Sequence, residues 1–242
     1  MKHRSRWRFA LEAIEGLALM PAAVWSWPLC KRWLDNWGAT ADERDGRWVG
    51  DALVPSADHT HTRAISIAAP ADTVWGLMIQ FGLGKAGFYS YELLERLVGI
   101  PVTNVESIEP SLQGLEVGDE VMLHPKAPGI PVAYLRAPHD ICFGKQPDMA
   151  RPTAEAADAA DADDADDPAR CWSLYIRPVT DSSCRLLSRS CLARPSTLAK
   201  RAALALEEPI DLVMEQRMLR TVKRLAEQIG PTRRSRSSDS TP

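Results

Sequence analysis

Two carboxylates four residues apart, Asp211 and Glu215, come nearest to a chemical site in this 242-residue chain. On a helix, positions i and i+4 are neighbours on one face, and both acids project to the edge of an apolar stripe, away from Arg217, Arg220 and Arg224. A charge beside buried surface is costly unless paired, so such groups mark either a site or a structural ion pair. Arg189 and Arg194 are candidate partners at a helix–sheet junction, and Asp211 near the helix start is favoured by the backbone dipole in any case. The stretch Gly82-Leu83-Gly84-Lys85-Ala86-Gly87 spells a dinucleotide loop. It follows a helix instead of leading a strand into one, so it reads as a turn. His3, His59, His61, His124 and His139 show no metal spacing, and His59 and His61 read as solvated residues of a polar lead-in. The five cysteines form no C-x-x-C, and Cys142, Cys171, Cys184 and Cys191, in apolar strand-like stretches, read as buried reduced thiols. The acidic run with Asp161, Asp163, Asp164, Asp166 and Asp167 lacks the glycine and terminal glutamate of a calcium loop. No metal, no cofactor and no catalytic residue is expected.

The elements that must position these groups follow from hydrophobic period. A terminal helix from about Leu206 to Ile229 buries Ile210, Met214, Met218, Val222, Leu225 and Ile229, with Pro209 tolerable only in its first turn. Thr62 to Ala68 alternates as a strand, with Ile65 and Ile67 on one face and Arg63 and Ser66 off it. Pro70 opens a helix carrying Val74, Leu77, Met78 and Phe81, and Ser90 caps a second one ending at Gly99. Further strand-like runs are Asn104 to Glu109, Glu120 to His124, Pro131 to Arg136, Asp140 to Gly144, Cys171 to Arg177 and Cys184 to Leu192, joined by turns. Short connections of this kind make an antiparallel meander. The organisation is therefore an N-terminal segment 1–35, an extended lead-in 36–61, a domain 62–229 interrupted by a disordered acidic insertion 149–169, and a disordered tail 230–242.

A formal net charge of −3 argues against a nucleic-acid partner held by phosphate contacts. At the N-terminus, Lys2, Arg4, Arg6 and Arg8 precede an apolar run from Gly16 to Cys30 that is broken by Pro21 and Pro28. That run is shorter than the roughly 20 residues a spanning helix needs. Trp25, Trp27, Trp33 and Trp37 with Lys31 and Arg32 suit a membrane interface. Residues 7–37 thus have two readings: contact with a membrane surface, or packing on their own domain or on a second copy in a homodimer. The expected location is cytoplasmic, at most peripheral to the inner face of the membrane.

Arg63-Ala64-Ile65-Ser66-Ile67, Ala69-Pro70-Ala71-Asp72-Thr73-Val74-Trp75 and Gly87-Phe88-Tyr89-Ser90-Tyr91-Glu92 resemble segments of the helix-grip fold of the SRPBCC superfamily. So do Val117-Gly118-Asp119, Trp172-Ser173-Leu174 and Val213 to Leu219, while Trp37-Gly38-Ala39-Thr40 looks like the lead-in of an uncharacterised bacterial branch. The group includes START lipid-transfer domains and polyketide cyclases. The resemblance implies an α+β domain in which a curved seven-stranded antiparallel sheet wraps a long C-terminal helix, with two short helices after the first strand. It also implies a cavity for a small apolar ligand, lipid or polyketide-like. Candidate lining residues are Met78, Gln80, Tyr89, Ser190, Met214, Glu215 and Met218. A cyclase- or dehydratase-like enzyme using Glu215 or Tyr89, and a membrane-associated lipid-binding module, are the alternatives, since one fold hosts many functions.

Overall fold

A computed structural model describes residues 6–145 and 169–238. The inner architecture is α+β: a six-stranded antiparallel sheet in the order β1-β6-β5-β4-β3-β2, gripping a long C-terminal helix. The strands are β1 (Ala57–Ile67), β2 (Glu120–Val121), β3 (Ile130–Arg136), β4 (Asp140–Gly144), β5 (Arg170–Thr180) and β6 (Ser183–Ala193). The helices are α1 (Arg6–Leu34), α2 (Ala41–Asp45), α3 (Ala71–Met78), α4 (Glu92–Leu97) and α5 (Leu198–Ser238).

Six strands replace the expected seven among the described residues, because 104–109 spends its backbone elsewhere. The Asn104 amide donates to the Glu92 carboxylate at 2.9 Å and the Val105 amide to the Ala86 carbonyl at 2.9 Å, so this run ties the loops around α3 and α4 together. α5 begins at Leu198, eight residues before the expected start, which puts Pro209 inside the helix. The carbonyl that loses its donor to Pro209 is that of Ala205, on an exposed turn open to water, while Lys31 of α1 pairs with neighbouring Glu208 at 2.6 Å. The backbone of α5 also continues past Gly230 to Ser238, where a disordered tail was expected. The acidic insertion lies outside the described residues, save Ala169.

Strand alternation sorts side chains onto two faces. Ile67, Leu186, Leu174, Ile176, Ile141, Phe143 and Val132 face inward and pack with Val74, Leu77 and Met78 of α3 and with Met218, Leu219, Val222 and Leu225 of α5. The outer face carries Ala64, Cys142, Tyr175 and Leu187, and next to them Cys171 and Cys191. This face is not left to water. The region read as an extended lead-in folds over it: Thr40 and Glu43 form a capping box that starts α2, and a 3-10 turn spans Val49–Leu53. Trp48 packs on Tyr175 with ring centroids 4.6 Å apart, and the Gly50 amide donates to the Tyr175 hydroxyl at 2.9 Å. Arg185 pairs with Glu43 at 2.6 Å and Arg189 with Asp51 at 2.7 Å, so Arg189 is turned away from Glu215. Gly38 is required where this cover meets β1: at φ +72, a Cβ there would stand 2.1 Å from the Ala64 carbonyl oxygen.

α1 lies along α5 and α4. Gly16 allows the approach, since a Cβ would meet Leu94 Cδ1 at 2.9 Å. The helix nevertheless presents Trp7, Leu11, Ile14, Leu17, Trp25 and Trp33 to the outside. Among the described residues no helix is long and apolar enough to cross a membrane.

Candidate functional site

The inner face of the sheet changes character along β1. A period of two carries Ile67, Ile65, Arg63, His61 and His59 on one side. Arg63 therefore shares the face of the isoleucines instead of lying off it. It is tolerated there because it is fully employed. With 1% of its surface exposed, its guanidinium pairs through Nη1 with Glu215 of α5 and donates Nε–H to the carbonyl of Leu34, the last residue of α1, at 3.2 Å. Nη2 lies 3.8 Å from Asp35 Oδ1. One buried cation thus joins the end of α1, the first strand and the last helix.

Around it the polar side chains converge. His61 Nε2 is 3.7 Å from Glu215 Oε2. His59 Nε2 is 3.6 Å from Asp35 Oδ2 and 3.9 Å from Glu208 Oε1. Lys31 Nζ lies 3.3 Å from Asp35 Oδ2 and 2.6 Å from Glu208 Oε2. Two carboxylate oxygens, Asp35 Oδ1 and Glu215 Oε1, are buried with no hydrogen bond.

The charges follow from this crowding. Burial pushes the Glu215 carboxyl up, but Arg63, then His61 and Ser188, outweigh it and hold the group at about 2. Asp211 opens to solvent on one side, yet protein crowding, with Glu215 and Glu207 nearby, raises it to about 6. His59 is lowered, first by burial and then by the Lys31 ammonium, which keeps its imidazole neutral near pH 7.

The seven candidate lining residues separate into three groups. Met78 and Met218 sit in the sealed apolar core, at 0% and 3% exposure. Gln80 and Tyr89 are spent on each other: Gln80 Nε2 donates to Tyr89 Oη at 2.7 Å and to the Ser107 carbonyl at 2.8 Å, while Tyr89 Oη donates to the Leu77 carbonyl at 3.0 Å. Ser190, Met214 and Glu215 lie at the polar end. Ser190 is opposite His61 in the β1–β6 register, and Met214 Sδ is 3.5 Å from Ser90 Oγ. Ser190, Met214 and Trp172 are all partly open, in contrast to the sealed end beyond Leu186 and Ile176.

Asp35 was not singled out from the sequence, and His59 and His61, read there as solvated residues of a polar lead-in, are instead half-buried in β1 and face carboxylates. The available signal was the two-residue spacing His59-x-His61-x-Arg63, which acquires meaning only when β1 begins at Ala57 instead of Thr62. A surface depression of about 400 Å³ lies elsewhere, lined by Arg96, Gly99, Pro101, Val102 and Thr103 at the end of α4. None of these belongs to the polar cluster, and Arg96 there is engaged with the Val102 carbonyl at 3.0 Å.

The strand order and the gripped C-terminal helix define an α+β helix-grip domain. No family model matches the chain, and no curated protein matches it. Among solved structures it is similar to norcoclaurine synthase from Thalictrum flavum in complex with dopamine and hydroxybenzaldehyde, with 14% identity over 74% of this chain and 92% of that one, TM-score 0.37. It is also similar to a polyketide cyclase-like protein from Corynebacterium glutamicum, with 12% identity over 70% of this chain and 90% of that one, TM-score 0.34. An HSP90 activator from Plasmodium falciparum shares 13% identity over 64% of this chain and 94% of that one, TM-score 0.33. At such scores the superpositions add nothing to the fold class, which rests on the chain's own strand order.

Beside Met214, Glu95 is buried, accepts from Ser90 Oγ at 2.7 Å through Oε1, and leaves Oε2 without a hydrogen bond. Burial raises it to about 7. Because its folded-state value is raised, the protonated form is the stabilising one. That contribution is complete below the ordinary 4.5 and is lost as pH rises through about 7. Urea denaturation at pH 5 and pH 8 should therefore show a loss on the order of 2 kcal/mol at the higher pH, which Glu95→Gln removes. An equal pH dependence in both proteins would contradict the assignment.

Proposed function

We propose that the chain binds a small, mostly apolar molecule at the opening between α5 and the inner sheet face, with its polar end toward Ser190 and Glu215. The observation that supports this is the gradient along the inner face. One end is closed by packed side chains, whereas Trp172, Ser190 and Met214 remain partly open beside a cluster of charge. An apolar ligand covering such side chains gains about 25 cal/mol per Å² of surface removed from water. Met214 is unbranched and polarisable, and it can yield to differently shaped guests.

Chemistry on the ligand finds less support. A Glu215 carboxylate held at about 2 is a poor proton donor at neutral pH and a weak base, and Tyr89 is raised by burial with its hydroxyl donated to a carbonyl. Binding and carriage are the reading that fits these groups.

The test is titration with an apolar fluorescent dye, N-phenyl-1-naphthylamine. Saturable binding of one equivalent is expected, and Met214→Trp should weaken it at least fivefold with the melting temperature unchanged. Met218 is the wrong position to probe, because a tryptophan there would overpack the sealed core. Failure of the wild-type chain to saturate with dye would remove the reading.

A second reading concerns where this happens. Trp7 and Trp25 of α1 are 81% and 88% exposed, and Leu198 of α5 is 81% exposed. Exposed tryptophan rings, together with the exposed Arg201 one turn along α5 from Leu198, match a headgroup layer, where apolar bodies insert and cations meet anionic lipid. Contact of this apolar rim with a membrane surface would deliver a lipid-like guest to the opening. Flotation with vesicles containing phosphatidylserine should carry the protein upward at low salt, and Trp7→Ser combined with Trp25→Ser should abolish this. If both proteins remain at the bottom of the gradient, the membrane reading is wrong.

A further inference from the structure

We propose that Asp35, His59 and His61 form a binding site for one divalent first-row transition metal ion, for which Zn2+ is the probe. The inference goes beyond ligand binding in the opening and requires none of it. His59 and His61 are two residues apart on β1, so the strand turns both imidazoles to the same side. Asp35, immediately after α1, meets them from above. One ligand atom from each of the three lies within 4.8 Å of the others. His59 Nε2 and Asp35 Oδ2, at 3.6 Å, are already near the roughly 3.3 Å that separates two ligands on a tetrahedral ion with bonds of 2.0–2.1 Å. His61 is half-buried and closes the remaining gap by rotation of its ring.

Two further observations point to a cation. Asp35 is 5% exposed, and its Oδ1 accepts no hydrogen bond, with Arg63 Nη2 standing off at 3.8 Å, so a buried carboxylate oxygen lacks a direct donor. Glu208 and Glu215 also bring carboxylate oxygens to 3.9 Å from His59 Nε2 and 3.7 Å from His61 Nε2. In this structure the Lys31 ammonium takes the cation's place, 3.3 Å from Asp35 Oδ2 and 3.5 Å from His59 Nε2. Its side chain is about one-third exposed, at 34%, so it can swing outward and free Glu208 as a further oxygen donor. A donor set of two imidazoles and a carboxylate suits zinc and its first-row neighbours, not calcium or magnesium, which prefer all-oxygen shells. The site is thus a competition between an internal ammonium and a metal.

The experiment uses full-length, untagged protein stripped with chelator, titrated with Zn2+ by calorimetry and with Co2+ by visible absorption. One equivalent of each is expected, with a Co2+ band in the visible region. His59→Ala and His61→Gln should each weaken Zn2+ at least thirtyfold, and Lys31→Met should strengthen it about tenfold by removing the competitor. No binding by the folded wild-type chain overturns the proposal, as does stoichiometric binding that survives both histidine substitutions. Should a histidine variant fail to fold, the wild-type chain alone decides through its histidine ring protons. Paramagnetic shifts of those of His59 and His61 with Co2+ support the site, and unshifted signals overturn it.

Discussion

A guanidinium removed from water cannot stand alone, and the position of Arg63 makes three separate parts of the chain answer to that requirement. Its neutralising carboxylate comes from α5, its backbone acceptor from the end of α1, and a second acid from the residue after that helix. Transfer of such a charge into a protein interior costs several kcal/mol unless its partners are fixed in place. The first strand can therefore keep Arg63 inward only if both helices dock where they do. The pair also sets the chemistry around it, since Glu215 is held ionised and in turn faces His61.

The same arrangement divides the space under α5. Beyond Arg63 toward Ile67 the sheet and helix meet through aliphatic and aromatic side chains with little left open. Before it, toward His59, the facing groups are carboxylates, imidazoles and hydroxyls, and several remain accessible. The helix grip is thus closed at one end and polar at the other. Both the proposed ligand site and the proposed metal site fall at the polar end.

Much of the architecture was legible in the sequence because it depended on local signals. Pro70 followed by apolar residues at helical spacing gives α3, and turn residues around Pro138-His139 and Thr180-Asp181-Ser182 separate β3, β4, β5 and β6 close to the expected bounds. Cys142, Cys171, Cys184 and Cys191 are buried free thiols, as their apolar surroundings suggested. What escaped was non-local. Arg63 looks like a solvent-facing residue until Glu215, far along the chain, is placed opposite it. The Thr40–Glu43 box was present in the sequence, but its purpose, covering the outer face of β5 and β6, depends on tertiary contacts with Tyr175 and Arg185. The candidate lining residues scatter for the same reason: Ser190 and Glu215 lie toward the polar end of β1, Met214 meets Ser90, and Gln80 and Tyr89 serve the loops around α3.

The ion pair between Arg63 and Glu215 is open to a thermodynamic double-mutant cycle. Stability by urea unfolding would be compared for the wild-type chain, Arg63→Met, Glu215→Leu and the combined variant. Each single change should cost about 3–5 kcal/mol by stranding the opposite charge, and the combined variant should recover most of that loss. Additive losses, with no coupling between the two positions, would show that this pair does not hold strand and helices together.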